Sequence, residues 1–242
     1  MVSKVWSSAT LGIDALPVEI ETHIVPGVPK YTVVGLAAGA VRESLDRIFA
    51  AARNTGLFFL RGKTTINLAP ADVRKESASF DLPMAMGLLA VSDGSFSPDR
   101  LDGFFITGEL ALDGHVRPVR GVLSMAMRAR AEGKHSVLVP AANAAEAAVV
   151  EGVAVYPIKT LEEACHVLAG RRAAPPPYVQ DFKTLFDEAR HYEIDFADVR
   201  GQENVKRALE VAVAEGHNAL MGGCRGRARR CWLAASPPSC RR

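Results

Sequence analysis

The 242-residue sequence has little cysteine and no long apolar run near its start. Cys165 is the single cysteine of residues 1–222, while Cys224, Cys231 and Cys240 fall in the last twenty residues. One thiol in so long a stretch suits a reducing compartment and argues against a disulfide scaffold. The opening segment meets acids and a proline before an apolar run can form, which excludes a signal peptide or a membrane span there. We therefore expect a cytoplasmic protein with no membrane partner.

A strong excess of one charge is also lacking from most of the chain. Six of the 29 basic residues are arginines in the last twenty positions, a segment without acids. The other 23 bases stand against 27 acids, so residues 1–222 carry a net charge of −4. A slightly acidic body argues against tight binding of DNA. The arginine-rich end predicts a disordered tail rather than a phosphate-binding patch, and its three cysteines lack the C-x-x-C spacing of a zinc site.

Residues 1–170 alternate between strand-like and helix-like patterns. Period-two spacing or short β-rich runs occur in PVEIETHIV, YTVVG, TTINLAP, SVLVP and VAVYPI. Helical spacing occurs in AVRESLDRIFAAA, DLPMAMGLLAV, VLSMAMRARAEG, NAAEAAVVEG and TLEEACHVLAG, with Asp81 and Thr160 as expected N-caps. The Asp113-Gly114 pair predicts a hairpin turn, because both residue types tolerate positive φ. The sequence predicts a mixed α/β domain large enough to fold without metal or disulfides.

The remaining residues read as three further segments. Consecutive prolines in RRAAPPPYVQ favour an extended chain, which predicts a linker over residues 171–195. A helix over VKRALEVAVAEG and a short apolar strand, HNALM, predict the start of a second module over residues 196–222. Residues 223–242 form the arginine- and cysteine-rich tail.

Several of these segments carry a family resemblance. VVGLAAGAVRESLDRIFAAARNTG, TINLAPADVRKESASFDLPMAMGLLA, TGELALDGHVRPVRGVL and VPAANAAEAAVVEG resemble the N-terminal domain of the ComM/YifB proteins, which is called magnesium-chelatase-like (ChlI-like). DFADVRGQENVKRALEVAVAEGHN resembles the beginning of that family's AAA-type ATPase module, a P-loop module. The resemblance implies ATP and Mg²⁺ as cofactors, a homo-hexameric ring, and an ATP-driven motor acting on DNA during natural transformation. It places adenine-side contacts at Val199, Arg200, Gly201 and Gln202.

The phosphate-binding loop of such a module is missing where it is expected. A GxxxxGK[ST] loop wraps phosphates with backbone N–H groups and contacts them with its lysine, but the chain instead reads GGCRGRARRCWLAASPPSCRR. With permitted synonymous codons, the same bases read in another frame encode VPGAGKTMLARRLPSILP. We therefore expect a frameshift near Gly222 and a chain that does not hydrolyse ATP.

The N-terminal part also resembles, more distantly, the proteolytic domain of Lon, whose fold is shared with one domain of a ribosomal protein. Ser79 lies where the nucleophile of Lon would fall, but Leu123 stands where its lysine would be. Without that base we do not expect peptidase activity. Asp72, Glu76, Asp81 and Glu109 are expected at helix starts rather than on a metal, and the six histidines show no ligand spacing. A stand-alone domain that binds protein or nucleic acid remains the alternative function.

Overall fold

The computed structural model describes residues 2–35, 39–73, 75, 77–92, 96–171, 174–179, 200–215 and 217. The chain divides into two compact units, Met1–Gln180 and Asp181–Arg242. The first unit thus includes the proline run that separates the two sequence patterns. The described part of the second unit is a single helix with its flanking residues.

Mixed pairing characterises the β-structure of the first unit. The strands are β1 (Val2–Leu11), β2 (Asp14–Pro26), β3 (Lys30–Val34), β4 (Gly62–Ala69), β5 (Phe104–Ile106), β6 (Glu109–Leu110), β7 (Val116–Arg117), β8 (Ser136–Pro140) and β9 (Ala154–Ile158). Seven of them form one sheet in the order β3-β4-β2-β1-β5-β8-β9, and β6 pairs with β7 in a separate hairpin. Strands β4, β2 and β1 are antiparallel neighbours, whereas the other pairs of the main sheet are parallel. The predicted α/β class is confirmed.

Helices cover the main sheet from both sides. They are α1 (Gly39–Asn54), α2 (Asp81–Ser92), α3 (Val122–Ala131), α4 (Ala144–Ala147) and α5 (Leu161–Ala169), with short 3₁₀ turns at Ala78–Phe80, Pro98–Leu101 and Ala141–Asn143. Apolar side chains of α1, α2 and α5 belong to one core cluster, and those of α3 and α4 belong to a second. Helix α2 is apolar on every side in sequence, and every residue from Asp81 to Val91 is buried.

The sheet has two halves that differ in how they are covered. In β5 and β8, Phe105 and Val137 belong to the α3 cluster while Ile106 and Leu138 belong to the α2 cluster, so both faces of these strands are buried. In β2 and β4 burial alternates from residue to residue. That alternation is typical of a sheet that packs on one side and meets solvent on the other. We call the solvent side of β2, β4 and β3 the open face.

Strand β1 has no counterpart among the sequence predictions. It pairs with β2 over its whole length, although its inward positions include Ser3 and Ser7, which are fully buried. The Ser3 hydroxyl donates to the carbonyl oxygen of Gly87 in α2 at 2.8 Å. A polar contact to a helix backbone therefore replaces the apolar alternation by which a strand is usually recognised.

One tight turn closes the separate β6–β7 hairpin, and one extended segment pairs with an edge of the main sheet. The Asp113-Gly114 turn joins β6 to β7 as predicted, with Gly114 at φ +89°. Strand β9 forms one edge of the main sheet. There the proline run approaches β9, and the Tyr178 amide donates to the carbonyl oxygen of Val155 at 2.7 Å. The β9 edge is therefore partly paired by the segment that leaves the first unit.

The second unit contributes α6 (Glu203–Ala214), which confirms the helix predicted over VKRALEVAVAEG. Of the predicted strand HNALM only His217 is described, and the other four residues lie outside the described residues. A search of the described residues finds no helix of the length and apolarity needed to cross a membrane.

Candidate functional site

A buried ion pair joins α1 to α2. The Arg47 guanidinium binds the Asp81 carboxylate through two nitrogens, with Nε to Oδ2 at 2.7 Å and Nη2 to Oδ1 at 3.0 Å. The same Nη2 donates to the Ser44 hydroxyl at 2.9 Å, and the Leu110 amide donates to Asp81 Oδ2 at 3.2 Å. Asp81 is fully buried, whereas the Arg47 side chain is 24% exposed. The carboxylate thereby fixes α1, α2 and β6 to one another.

The electrostatics of this pair reflect its burial. Removal from water raises the pKa of the Asp81 carboxyl, against the opposing effect of the hydrogen bonds from Arg47 and Ser44. The hydrogen bond to Asp81 in turn raises the pKa of Arg47, which stays charged. The sequence prediction that Asp81 caps α2 is wrong, because Asp81 is already helical at φ −57° and its carboxylate binds a neighbouring helix instead.

Ser79, the residue at the position of the Lon nucleophile, sits in the 3₁₀ turn just before α2 and is 8% exposed. Its carbonyl oxygen accepts hydrogen bonds from the Gly108 amide at 3.1 Å and the Thr107 hydroxyl at 3.4 Å. Its amide donates to the Ser77 hydroxyl at 3.1 Å. These bonds hold the entrance of α2 against the end of β5, which is the helix-entry role expected from the sequence.

The lysines near Ser79 in sequence have other partners. Lys75 is fully buried, and its ammonium donates to the carbonyl oxygens of Gly35 and Pro70. Desolvation lowers the pKa of Lys75. Lys134 binds Asp102 at 2.7 Å and lies over the Trp6 ring.

The alignment position of the Lon lysine is occupied by an apolar contact. Leu123 packs against the α3 cluster, and its amide donates to the Glu146 carboxylate at 3.0 Å. Within the described residues, no lysine is bonded to Ser79.

The candidate metal-binding acids are dispersed into other contacts. Asp81 binds Arg47, and Glu109 binds Arg117 at 3.3 Å. Asp72 acts on the buried amine of Lys75, whose pKa it raises in opposition to desolvation. Glu76 lies outside the described residues. A search of the described parts of the chain finds no cluster of three or more His, Cys, Asp or Glu side chains that could hold a metal ion.

The predicted adenine-side turn lies just before α6. Val199 is outside the described residues, and Arg200 is exposed. Gly201 and Gln202 both have left-handed backbones, at φ +74° and +60°. Gln202 occupies the N-cap position of α6 but makes no side-chain capping hydrogen bond, so it precedes the first turn of the helix rather than lying in it. A non-glycine residue at positive φ is uncommon and marks a locally constrained turn.

Comparison with known proteins places this chain in a family. The family model described as subunit ChlI of Mg-chelatase matches residues 20–143, and a second model, magnesium chelatase subunit ChlI, matches residues 195–236. The first match covers α1, α2, the Arg47–Asp81 pair and the β6–β7 hairpin. The chain belongs to the ChlI family of magnesium-chelatase-like proteins. The second match takes in α6 and continues beyond residue 222.

Individual ComM/YifB relatives match over most of this chain. The YifB protein of Salmonella typhimurium is 40% identical over 219 residues, which are 90% of this chain and 42% of the relative. The competence protein ComM of Haemophilus influenzae is 36% identical over 219 residues, again 90% of this chain and 43% of the relative. The chain thus spans about two fifths of the length of these relatives.

Lon is a weaker relative of this ComM/YifB-type chain. The Lon protease of Chloroflexus aurantiacus is 27% identical over 178 residues, which are 69% of this chain and 21% of that protease. The match agrees with the fold expected from the sequence.

Sequence reasoning missed two features of this chain. Asp81 was separable from an ordinary helix residue only by the presence of Arg47 on a different helix, which no local pattern reveals. The second feature is a pair of opposed lysines on the open face, which come from separate strands. Lys30 and Lys63 lie 33 positions apart in sequence but directly opposite one another in the β3–β4 ladder.

Proposed function

We propose that this chain is the N-terminal part of an ATP-driven, DNA-linked motor of the ComM type, and that it does not itself hydrolyse ATP. What supports the proposal is the combination of a ChlI match over residues 20–143 with a second match beginning at residue 195. In this reading residues 1–170 form the accessory domain, residues 171–195 the linker, and residues 196–222 the first part of the ATPase module. ATP, Mg²⁺, a hexameric ring and DNA belong to the complete motor.

The Gly-Lys-Thr tripeptide of this chain does not form a site for Mg²⁺-ATP. Gly-Lys-Thr occurs once in the sequence, at residues 62–64, with five residues rather than four between Gly56 and Gly62. Those three residues lie in β4, where Gly62 pairs with Pro26. A Cβ added at Gly62 would lie 2.3 Å from the carbonyl oxygen of Val25, so this glycine serves close strand pairing. A phosphate loop requires free backbone N–H groups at a helix start instead.

The turn before α6 is proposed as the remnant of the adenine-side contact. Val199, Arg200, Gly201 and Gln202 are assigned this role by resemblance, and the left-handed backbone at Gly201 and Gln202 is consistent with a tight turn. Without phosphate contacts, adenine packing supplies only part of the binding energy of a nucleotide. We therefore expect ATP to bind the chain poorly.

Two measurements test this proposal. The nucleotide sequence around codons 221–224 should contain a GxxxxGK[ST] loop in an alternative frame that continues into the rest of a motor. The 242-residue chain should show no ATP turnover, whereas a chain with the frame restored should hydrolyse ATP, and replacement of the lysine of the restored loop should abolish that activity. Clear turnover by the 242-residue chain, or a gene with no such frame, would contradict the proposal.

A further inference from the structure

The open face carries two lysines that oppose each other without a neutralising partner. Lys30 of β3 and Lys63 of β4 are directly opposite in the parallel ladder, and both side chains are exposed. Neighbouring strands are about 4.8 Å apart, and like charges directly opposite each other destabilise a sheet. In the described parts of the chain, neither lysine takes part in an ion pair. The register therefore places two like charges on adjacent strands.

On the described strands of the open face, acidic residues are remote from this pair. The third strand of the same rung contributes Val25, which lies opposite Lys63. The nearest acid on this face of β2 is Glu21, which lies opposite Asn67, four residues along β4 from Lys63. Four residues of strand span about 13 Å, which exceeds the Debye length of about 8 Å at physiological ionic strength. Glu21 is also engaged by Asn67 at 3.0 Å and by Lys4 at 3.4 Å.

A third base extends the positive surface. Arg61 is exposed and precedes Lys63 by two residues, the spacing that keeps side chains on one side of an extended chain. The two segments that build this end of the sheet, residues 25–32 and 57–66, contain no Asp or Glu. We call Lys30, Arg61 and Lys63 the basic corner. Its sign is opposite to the net charge of residues 1–222.

An exposed phenyl ring lies on the chain leading into the basic corner. Phe58 is 75% exposed, while its neighbour Phe59 packs edge-on against Phe49 of α1 with ring centroids 5.2 Å apart. Leu57 and Phe59 are both anchored in the core, so the backbone that presents Phe58 is held in place. Five residues of extended chain span at most about 18 Å, which limits the distance from Phe58 to Lys63.

We propose that the basic corner and Phe58 bind single-stranded nucleic acid, with phosphates on the three basic side chains and a base stacked on Phe58. The inference rests on the DNA-linked role proposed above and assigns it a place on this domain. Exposed aromatic rings beside a basic groove are the usual components of single-strand binding, because every base offers a face for stacking.

The test uses the full 242-residue chain and a fluorescein-labelled oligothymidine of twenty nucleotides, followed by anisotropy at several salt concentrations. Each cation on a phosphate contributes about −0.7 to the slope of log affinity against log salt for a single strand. Lys30→Gln/Lys63→Gln should reduce the magnitude of that slope by about 1.4. Phe58→Ala should weaken binding about tenfold with an unchanged slope, and Phe58→Trp should restore it.

The matched control is Arg120→Gln/Lys159→Gln, which removes two exposed charges from another part of the same unit. Equal losses in the two double variants would show that net charge or the arginine-rich tail binds the strand, and would overturn the proposal. Binding that is insensitive to Phe58→Ala and is matched by a polyglutamate peptide would also overturn it, in favour of an acidic protein partner. These outcomes concern the chain as it stands, so they are separate from whether the restored motor hydrolyses ATP.

Discussion

The two halves of the sheet differ in how their faces are covered. Strands β5 and β8 are enclosed between two core clusters, and their side chains serve packing on both sides. Strands β2, β3 and β4 pack against the core on one side and present charged and polar side chains on the other. Polar residues are therefore costly to disturb in the covered regions, while the open face can carry charges that stability does not require.

The largest expected effect on stability comes from the buried Arg47–Asp81 pair between α1 and α2. Asp81→Asn removes the carboxylate that neutralises Arg47, and breaking one partner of a buried ion pair costs about 3–5 kcal/mol. Urea denaturation of the full chain measures the loss. The comparison variant is Lys4→Gln, which breaks a 2.6 Å ion pair with Glu19 on the open side of the sheet, where the lysine side chain is 60% exposed. This change should leave the midpoint of urea denaturation unchanged. Equal losses would remove the distinction between the two environments.

A second effect should follow from tight packing of α2 on the sheet. A Cβ at Gly87 would lie 2.8 Å from the Thr22 hydroxyl oxygen and 3.3 Å from a Val5 methyl group. Gly87→Ala should therefore destabilise the protein by about 1–3 kcal/mol, although alanine favours helices by about 1 kcal/mol. The loss should shrink in a Thr22→Ala background, as measured by thermal or urea unfolding.

The matched glycine lies at the start of α1. Gly39 has nothing within 4 Å of an added Cβ, so Gly39→Ala should be neutral or stabilising. Destabilisation at Gly39 that equals the loss at Gly87 would show that the cost is not due to contact with the sheet.

A smaller, pH-dependent effect is expected where β1 meets the covered half. The hydrogen bond and charge of Lys134 lower the pKa of Asp102, which also accepts from the Trp6 indole at 3.2 Å. Because the folded-state pKa is the lower one, this stabilisation is present above the ordinary value near 3.8 and is lost as pH falls through the folded value. The Asp102 side chain is 73% exposed, so the loss should be under about 1 kcal/mol.

Trp6 emission in a Trp232→Phe background reports this transition. Lys134→Met should move its midpoint up towards the ordinary carboxyl value. A midpoint that does not respond to Lys134→Met would show that this contact does not set the pKa of Asp102.

The smallest expected effect separates stability from binding on the open face. Lys30→Glu places a carboxylate opposite Lys63, and such a cross-strand pair should stabilise the sheet by a few tenths of a kcal/mol, within the range of about 0.2–1. The same change should weaken binding of the labelled oligonucleotide. Thermal unfolding and anisotropy on one preparation check both signs. A variant that is less stable yet binds equally well would contradict the assignment of the lysine pair.

Much of the fold was predictable because the elements carry local signals. The alternation in β2 and β4, the uniformly apolar α2 and the Asp113-Gly114 turn all lie within a few residues of chain. Thr160 was predicted as a helix cap, and its hydroxyl accepts from the Glu163 amide at 3.2 Å. The NAAEAAVVEG helix was predicted too long, because only Ala144–Ala147 is α-helical and a 3₁₀ turn precedes it.

The candidate sites were less predictable, because their members are distant in sequence. The position of Asp81 before an apolar run predicts a helix cap, and only the approach of α1 reveals that Arg47 binds it. The residues of the adenine-side turn were named from resemblance to the ComM/YifB family, and their role stays a prediction. The basic corner could not be predicted at all, since Lys30 and Lys63 come from strands whose pairing and register are long-range properties.

Local periodicity and turn chemistry predicted the α/β class and most of the helices and strands, while the resemblance of whole segments indicated the family. Which polar residues form buried pairs and which lie on the exposed surface depends on the tertiary structure. The reason is that burial and charge neutralisation depend on neighbours brought together by the sheet order. The neighbours of Ser3 beneath α2, and of the facing lysines of β3 and β4, determine whether these side chains are buried and paired or exposed.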